Sequence, residues 1–362
     1  MTCCPNCFSD EFLKQYIVEH STTKGECESC GEEDTCLIEP YELAGFFHNL
    51  LSMYEEAESY EAGEPLISRV QWDWDVFNED VLDEDSQGDL LEEIANSDWD
   101  DDSGESPINA KALYQLHGGW LHTTHEERWG QYCSDVRDDP NQTFPFEEYL
   151  AEDFHQLSAT LPKGTVLFRA RRGFRPGDYG ERHAFAGDEI GAPPTEKASP
   201  GRVNVKGQRV LYCTDQEATA VAEVRPARGF YVSVATVSLN RDVSILDLMR
   251  SLKINPFLTE TLKWDVEIQA LLASLAEEMS RPLERDDDQT HYVPCQRLAD
   301  YIREAHYDGI RYPSALNPDG TNVVFFDPSV ADVSGSKLVA ITEIKVAYED
   351  QQDAVPPSAQ TS

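Results

Sequence analysis

Near the start of the chain, Cys4-Pro5-Asn6-Cys7 and Cys27-Glu28-Ser29-Cys30-Gly31 form two pairs of thiols, with nineteen residues between the pairs. Thiolates two residues apart grip one tetrahedral ion from a single turn of backbone, and two such pairs fill its coordination shell. The spacing predicts that residues 1–37 close around a structural zinc as a ribbon, with Cys4, Cys7, Cys27 and Cys30 as ligands and Gly31 at the turn after the second pair. An ion held by four sulfurs has no open position for a substrate, so it staples the fold and does no chemistry. The competing reading is a redox pair or unrelated thiols. Cys3 and Cys36 are spare sulfurs that could replace a ligand or pack beside the site.

Charge divides the chain in two. Residues 1–158 carry 6 Lys and Arg against 39 Asp and Glu, whereas residues 159–348 carry 23 against 26, within a net charge of −39 over 362 residues. An acidic half of this density repels phosphate backbones, which argues against general DNA or RNA binding and against a zinc-ribbon DNA regulator. The second half keeps the cations that a phosphorylated small molecule needs. No stretch of eighteen apolar residues occurs, and Met1-Thr2-Cys3-Cys4-Pro5 carries no basic-then-apolar signal, so the expectation is a cytoplasmic protein with no membrane partner. In that compartment nine cysteines favour a metal over a disulfide framework.

Residues 38–158 are expected to form a mainly helical, acidic domain. Leu43, Phe46, Phe47, Leu50, Leu51 and Tyr54 recur at helical spacing and give one apolar face. Trp72, Trp74, Phe77, Leu82, Leu90, Leu91, Ile94 and Trp99 interleave with a dense run of acids from Asp73 to Glu105. Such a run is either a partner-binding or nucleic-acid-mimicking surface, or solvated helix faces with their core residues, and the second reading is preferred. His117, His122 and His125 lie close together without an HExxH pattern and are read as ordinary polar positions.

Residues 159–348 switch to mixed strands and helices. Strands are expected at Thr165–Arg171, Val210–Cys213, Tyr231–Val237, Val243–Leu246 and from Asn322 to Phe326, with helices over residues 255–280 and 294–306. Asn317-Pro318-Asp319-Gly320 is a strong turn, and residues 349–362 read as a disordered tail. The most chemically suggestive stretch runs from Gly201 through Arg202, Lys206, Gly207 and Arg209 into a strand, then into a small-residue helix bearing Glu223 just before Pro226. Glycines allow close backbone approach to a ligand, and the cations suit an anionic one. Thr214-Asp215-Gln216-Glu217 matches a capping box and predicts a helix from Thr214 to the Arg225-Pro226 stop.

Phe168-Arg169-Ala170-Arg171, then Gly201-Arg202-Val203-Asn204 with Gly207, then Ala222-Glu223, then Tyr312-Pro313-Ser314, follow the order found in the RES domain, which the chain resembles over roughly residues 165–330. The resemblance puts the family's catalytic arginine, glutamate and serine at Arg169, Glu223 and Ser314, and substrate-binding roles at Arg202, Asn204, Tyr212 and Arg171. It implies a catalytic domain at 159–348 with the mixed β fold of ADP-ribosyltransferase toxins. The expected architecture is thus α+β, with the zinc ribbon and the acidic helical domain ahead of it. Residues 38–158 are similar, more weakly, to the HEPN-like domain often fused to RES domains in bacteria. HEPN ribonucleases use an arginine followed at four to six residues by histidine; residues 38–158 hold no such pair, so RNase activity is not expected.

RES domains consume NAD+ by breaking the nicotinamide–ribose bond, through hydrolysis or phosphorolysis, and many are toxins of toxin–antitoxin pairs. The implied partners are therefore NAD+ and an antitoxin or regulatory protein, in a toxin–antitoxin or phage-defence setting. Elementary chemistry agrees. Cleaving an N-glycosidic bond builds positive charge on the ribose, which a carboxylate such as Glu223 would stabilise. Arg169 would grip the pyrophosphate through its planar fork, although Arg171, Arg172 and Arg175 lie close by as alternatives. Tyr212 could cover the nicotinamide. Rival readings are an ADP-ribosyltransferase acting on a macromolecule and a non-enzymatic zinc-ribbon interaction protein.

Overall fold

The computed structural model describes residues 1–57, 63–97, 107–117, 124–139, 141–146, 154–281 and 289–345. The chain divides into two compact units, Met1–Asp135 with Ser251–Leu275, and Val136–Arg250 with Ala276–Ser362.

The first unit starts with the cysteine-bearing segment. Asp10 accepts the Leu13 amide at 2.9 Å and so caps α1 (Glu11–His20), which is followed by the hairpin of β1 (Thr23–Gly25) and β2 (Thr35–Leu37). α2 (Ala44–Leu51) then buries Phe47 and Leu50, the apolar stripe expected from the sequence. Tyr54 leaves that helix and enters β3 (Tyr54–Glu56), which joins β4 (Glu64–Pro65) and β5 (Leu113–Leu116) in a small sheet of order β3-β5-β4. Strands this short, with glutamates on them, carry no periodicity, so the helical expectation for 38–158 misses them. α3 (Leu66–Trp74) and α4 (Glu84–Ala95) complete the packing. Phe8, Leu13 and Ile17 share one core with Phe47, Leu50, Val70, Phe77, Leu90 and Leu91. Phe257 enters the same core, its ring 5.0 Å from that of Phe47, because residues 251–275 fold with this unit.

α5 (Thr124–Asp138) ends in the second unit, whose frame is an eight-stranded mixed sheet. Its strands are β6 (Ser158–Leu161), β7 (Val166–Arg172), β10 (Leu211–Thr214), β11 (Tyr231–Leu239), β12 (Val243–Asp247), β13 (Gly309–Pro313), β14 (Thr321–Phe325) and β15 (Ala331–Ala340). They lie in the order β15-β11-β7-β10-β14-β13-β12-β6, and every pairing is antiparallel except β12 with β13. A two-stranded ribbon of β8 (Arg175–Pro176) and β9 (Arg182–His183) stands apart from this sheet. The helices are α6 (Glu217–Glu223), α7 (Leu262–Ser280), which begins in the first unit, and α8 (Val293–Glu304). Each strand expected from the sequence is present within a residue or two. β6, β13 and β15 are not among the strands expected from the sequence: β15 is mostly exposed, so its residues show no apolar alternation. The expected tail, 349–362, lies outside the described residues.

One network of buried charge lies at the end of β12. Asp247 is fully buried at the end of β12, where Arg311 of β13 grips both its carboxylate oxygens and Arg250 approaches to 3.3 Å. The parallel pairing of β12 with β13 sets Asp247 beside Arg311 in register.

Candidate active site

The glycine-punctuated loop after residue 200 is organised by Asn204. Its amide nitrogen donates to the carbonyls of Ser199, Val205 and Gln208 at 2.9–3.2 Å, and its oxygen accepts the Tyr212 hydroxyl at 2.9 Å. Tyr212 Oη in turn accepts the Val203 amide at 3.3 Å, while Gln296 of α8 donates to the carbonyls of Gly201 and Asn204. Gly201 is required here: a Cβ would stand 2.6 Å from Tyr212 Oη. Asn204 is buried and fully committed inside the loop, whereas Gly201, Arg202 and the Tyr212 ring face an open cleft of about 350 Å³.

One row of the sheet forms part of the cleft wall. Phe168 on β7 pairs with Thr214 on β10, Thr214 with Asn322 on β14, and Asn322 with Tyr312 on β13, and all of these line the cleft. Residues directly opposite on neighbouring strands share a face, so the register places them side by side. α6 brings Glu223 to this row. The helix begins at Glu217, not at Thr214 as the capping-box pattern predicts, because Thr214 is the last residue of β10 and its hydroxyl donates to the Gln216 carbonyl at 2.7 Å. The far end does stop as expected, with Arg225 at φ 44° and Pro226 after it.

Glu223 Oε1 accepts two hydrogen bonds, from Ser314 Oγ at 2.8 Å and from Asn322 Nδ2 at 2.8 Å. Ser314 itself is buried, lies directly after β13, and also accepts the amides of Leu316 and Asn317. Glu223 is exposed to the cleft and makes no ion pair among the described residues. The turn between β13 and β14 is strapped to α6 by Asn317 Nδ2, which donates to Thr219 Oγ1 at 2.7 Å, and by Gln216 Nε2, which donates to the Asp319 carbonyl at 2.7 Å. Gly320 permits this approach, since a Cβ there would meet Thr219 Oγ1 at 2.0 Å.

Arginines supply the positive side. Arg169 Nε donates to the Ile190 carbonyl at 2.6 Å and Nη1 to the Tyr212 carbonyl at 2.8 Å. Of the five guanidinium donors these use two, and no carboxylate pairs with Arg169 among the described residues. Burial pulls its pKa below the ordinary arginine value, though a guanidinium remains charged from that starting point. Arg202 reaches the carbonyls of Glu278 and Arg281 and lies 5.9 Å from the Tyr292 ring, another cleft residue. Arg171 binds the Glu189 carbonyl and stacks 4.4 Å from the Phe185 ring; it does not line the cleft. Burial pushes Tyr212 above the usual phenol range and Cys213 up to about 12, so both stay protonated and Cys213 offers no thiolate at neutral pH.

The structure thus brings Arg169, Arg202, Tyr212 and Glu223 to one cleft, sets Ser314 behind Glu223, and leaves Asn204 and Arg171 as supports. Asn322 and Tyr292 were missed as site residues. The signal for Asn322 was a lone amide opening the otherwise apolar run Asn322-Val323-Val324-Phe325.

In the first unit, the sulfurs of Cys4, Cys7, Cys27 and Cys30 all lie within 4.8 Å of one another, with Cys4–Cys7 at 3.8 Å and Cys4–Cys30 and Cys7–Cys27 at 3.5 Å. Bonds of about 2.3 Å to one tetrahedral ion require sulfurs roughly 3.8 Å apart, so the set could hold a metal. Cys3 is outside it, its Sγ turned to the Ile38 carbonyl, and Cys36 sits on β2.

The mixed sheet thus carries a tethered carboxylate and arginines on one cleft. Residues 166–345 match the family model of the RES domain, and this part of the chain is a RES domain. A chain in the crystal structure of the M. tuberculosis MbcT-MbcA toxin-antitoxin complex is similar at a TM-score of 0.30 and 15% identity, over 54% of this chain and 93% of that one. No curated protein matches the chain.

Proposed function

We propose that the RES cleft binds NAD+ and cleaves its nicotinamide–ribose bond. The observation that carries this reading is a glutamate fixed through one oxygen, in the same cleft as an arginine with donors to spare. As the C1′–N bond breaks, its electron pair leaves with neutral nicotinamide and positive charge grows on the ribose. Glu223 Oε2 stabilises that charge and accepts a proton from the attacking water or phosphate, releasing ADP-ribose or its 1″-phosphate. Arg169 holds the pyrophosphate, with Arg202 beside it, and the Tyr212 and Tyr292 rings cover the nicotinamide. Ser314 serves as a tether for Glu223. The four-cysteine site takes a structural zinc, and the acidic first unit is a docking or sensing module through which an antitoxin or regulator restrains a toxic activity.

The test is nicotinamide release from NAD+ by the purified, zinc-loaded chain, with and without phosphate, against Glu223→Gln. The expected result is turnover that falls about a thousandfold in the variant. Intact NAD+ after long incubation with folded protein would sink the proposal, and label from NAD+ appearing on a macromolecule would replace degradation by ADP-ribosyl transfer.

A further inference from the structure

We infer that Asn322 is a positioning residue for Glu223, and that the β13–β14 hairpin works as a clamp which grips one carboxylate oxygen so that the other alone faces the ligand. The inference rests on the proposed role of Glu223 but adds a residue and a device to it.

Asn322 sits at the second position of β14, paired with Tyr312 on one side and Thr214 on the other, and is nearly buried although it lines the cleft. Its amide is the second donor, after Ser314, to the same oxygen of Glu223. Ser314 and Asn322 come from opposite stems of one hairpin, whose turn is fastened to α6 through Asn317 with Thr219 and through Gln216 with Asp319. The Thr321 amide adds a bond to Asp215 at 2.8 Å, just ahead of the same helix. Helix and hairpin therefore move as one piece, and the carboxylate cannot rotate without breaking two bonds at once.

The physical need is plain. A glutamate has three side-chain torsions, and at a helix end it would sample several of them in solvent. Catalysis at the ribose requires one oxygen held within hydrogen-bond reach, so the freedom must be removed before substrate arrives. A hydroxyl and an amide on Oε1 do this and leave the lone pairs of Oε2 to the ligand. The division of labour differs between the two donors: Ser314 is turned away from the cleft, whereas Asn322 also borders the space where a ligand sits.

The experiment compares steady-state nicotinamide release by wild type, Asn322→Ala, Asn322→Asp, Ser314→Ala and the Ser314→Ala/Asn322→Ala double variant, with thermal melts of each. Asn322→Ala should lower kcat about thirtyfold with KM for NAD+ within a factor of about two, since a bond to a charged acceptor is lost while the binding groups stay. Asn322→Asp keeps the shape but replaces the donor by a like charge and should fall further, to the level of the double variant. A crystal structure of Asn322→Ala supplies a readout independent of turnover: the Glu223 carboxylate should leave its position. Glu223 unmoved there, or kcat unchanged in Asn322→Ala, overturns the clamp. Unchanged turnover in Glu223→Gln instead removes the functional reading beneath it, and the crystal structure still decides the clamp.

Discussion

The sulfurs of Cys4, Cys7, Cys27 and Cys30 and the polar groups around Glu223 are both tight clusters, with contacts of 3.5–3.8 Å in the first and 2.8 Å in the second. They are assembled in different ways. The thiols come as two local pairs, each set by a turn of backbone, and the surrounding core residues Phe8, Leu13 and Ile17 lie close to them in the chain. Glu223, Ser314 and Asn322 come from a helix and from two stems of a hairpin about ninety residues further on. Local geometry suffices to gather four sulfurs that could hold an ion still. A site that, on the proposed reading, presents one oxygen to a ligand needs a rigid frame, which the paired strands and the helix bound to them supply.

The contrast can be broken most severely at the proposed metal site. Removing the ion with a chelator, or substituting Cys7→Ser, should withdraw on the order of 10 kcal/mol from the folding of the first unit. Loss of its near-UV circular dichroism and of one bound zinc per chain is the expected record. A chelated protein with unchanged melting would make the cysteines mere core thiols.

Next in size is Glu223→Gln, whose thousandfold loss of turnover corresponds to about 4 kcal/mol. Its fold should be intact, because an amide still accepts through its oxygen from Ser314 and Asn322. A stability loss in place of the activity loss would make the second cluster structural, like the first.

Below it stands Arg311→Met, which leaves Asp247 fully buried with Arg250 at 3.3 Å and the Met249 amide at 3.2 Å. Stranding a buried charge costs about 3 kcal/mol. Denaturant titration should show the loss, and it should diminish in the Arg311→Met/Asp247→Asn double variant.

The smallest effect belongs to Asp308, bonded by Arg241 at 2.7 Å and by the Ser244 amide at 2.8 Å. The Arg241 guanidinium holds this carboxyl below the usual carboxylate range. Because the folded pKa is the lower one, the stabilisation is complete above the unfolded value of about 4 and is lost as the pH falls through the depressed folded value. Asp308→Asn should therefore cost under about 1 kcal/mol at pH 7, with the difference from wild type closing in acid. A difference that persists unchanged at low pH would assign the effect to packing.

Residue order alone carried much of this protein. The CxxC spacing located the thiol cluster, runs of β-branched and aromatic residues located most strands of the large sheet, and the turn Asn317–Gly320 marked the hairpin. These are short-range properties, written in neighbours a few positions apart. The capping box at Thr214 misled for the same reason: its pattern is local, but pairing with Phe168 and Asn322 holds Thr214 in the sheet. What only the tertiary structure decided was the company each side chain keeps. Strand register put Phe168, Thr214, Asn322 and Tyr312 in one row and brought Asn322 onto the oxygen that Ser314 also grips, while contacts within its loop turned Asn204 inward and the Glu189 carbonyl and Phe185 ring hold Arg171. Register and the packing of a helix on a hairpin depend on contacts a hundred residues apart, and no pattern within a short window encodes them.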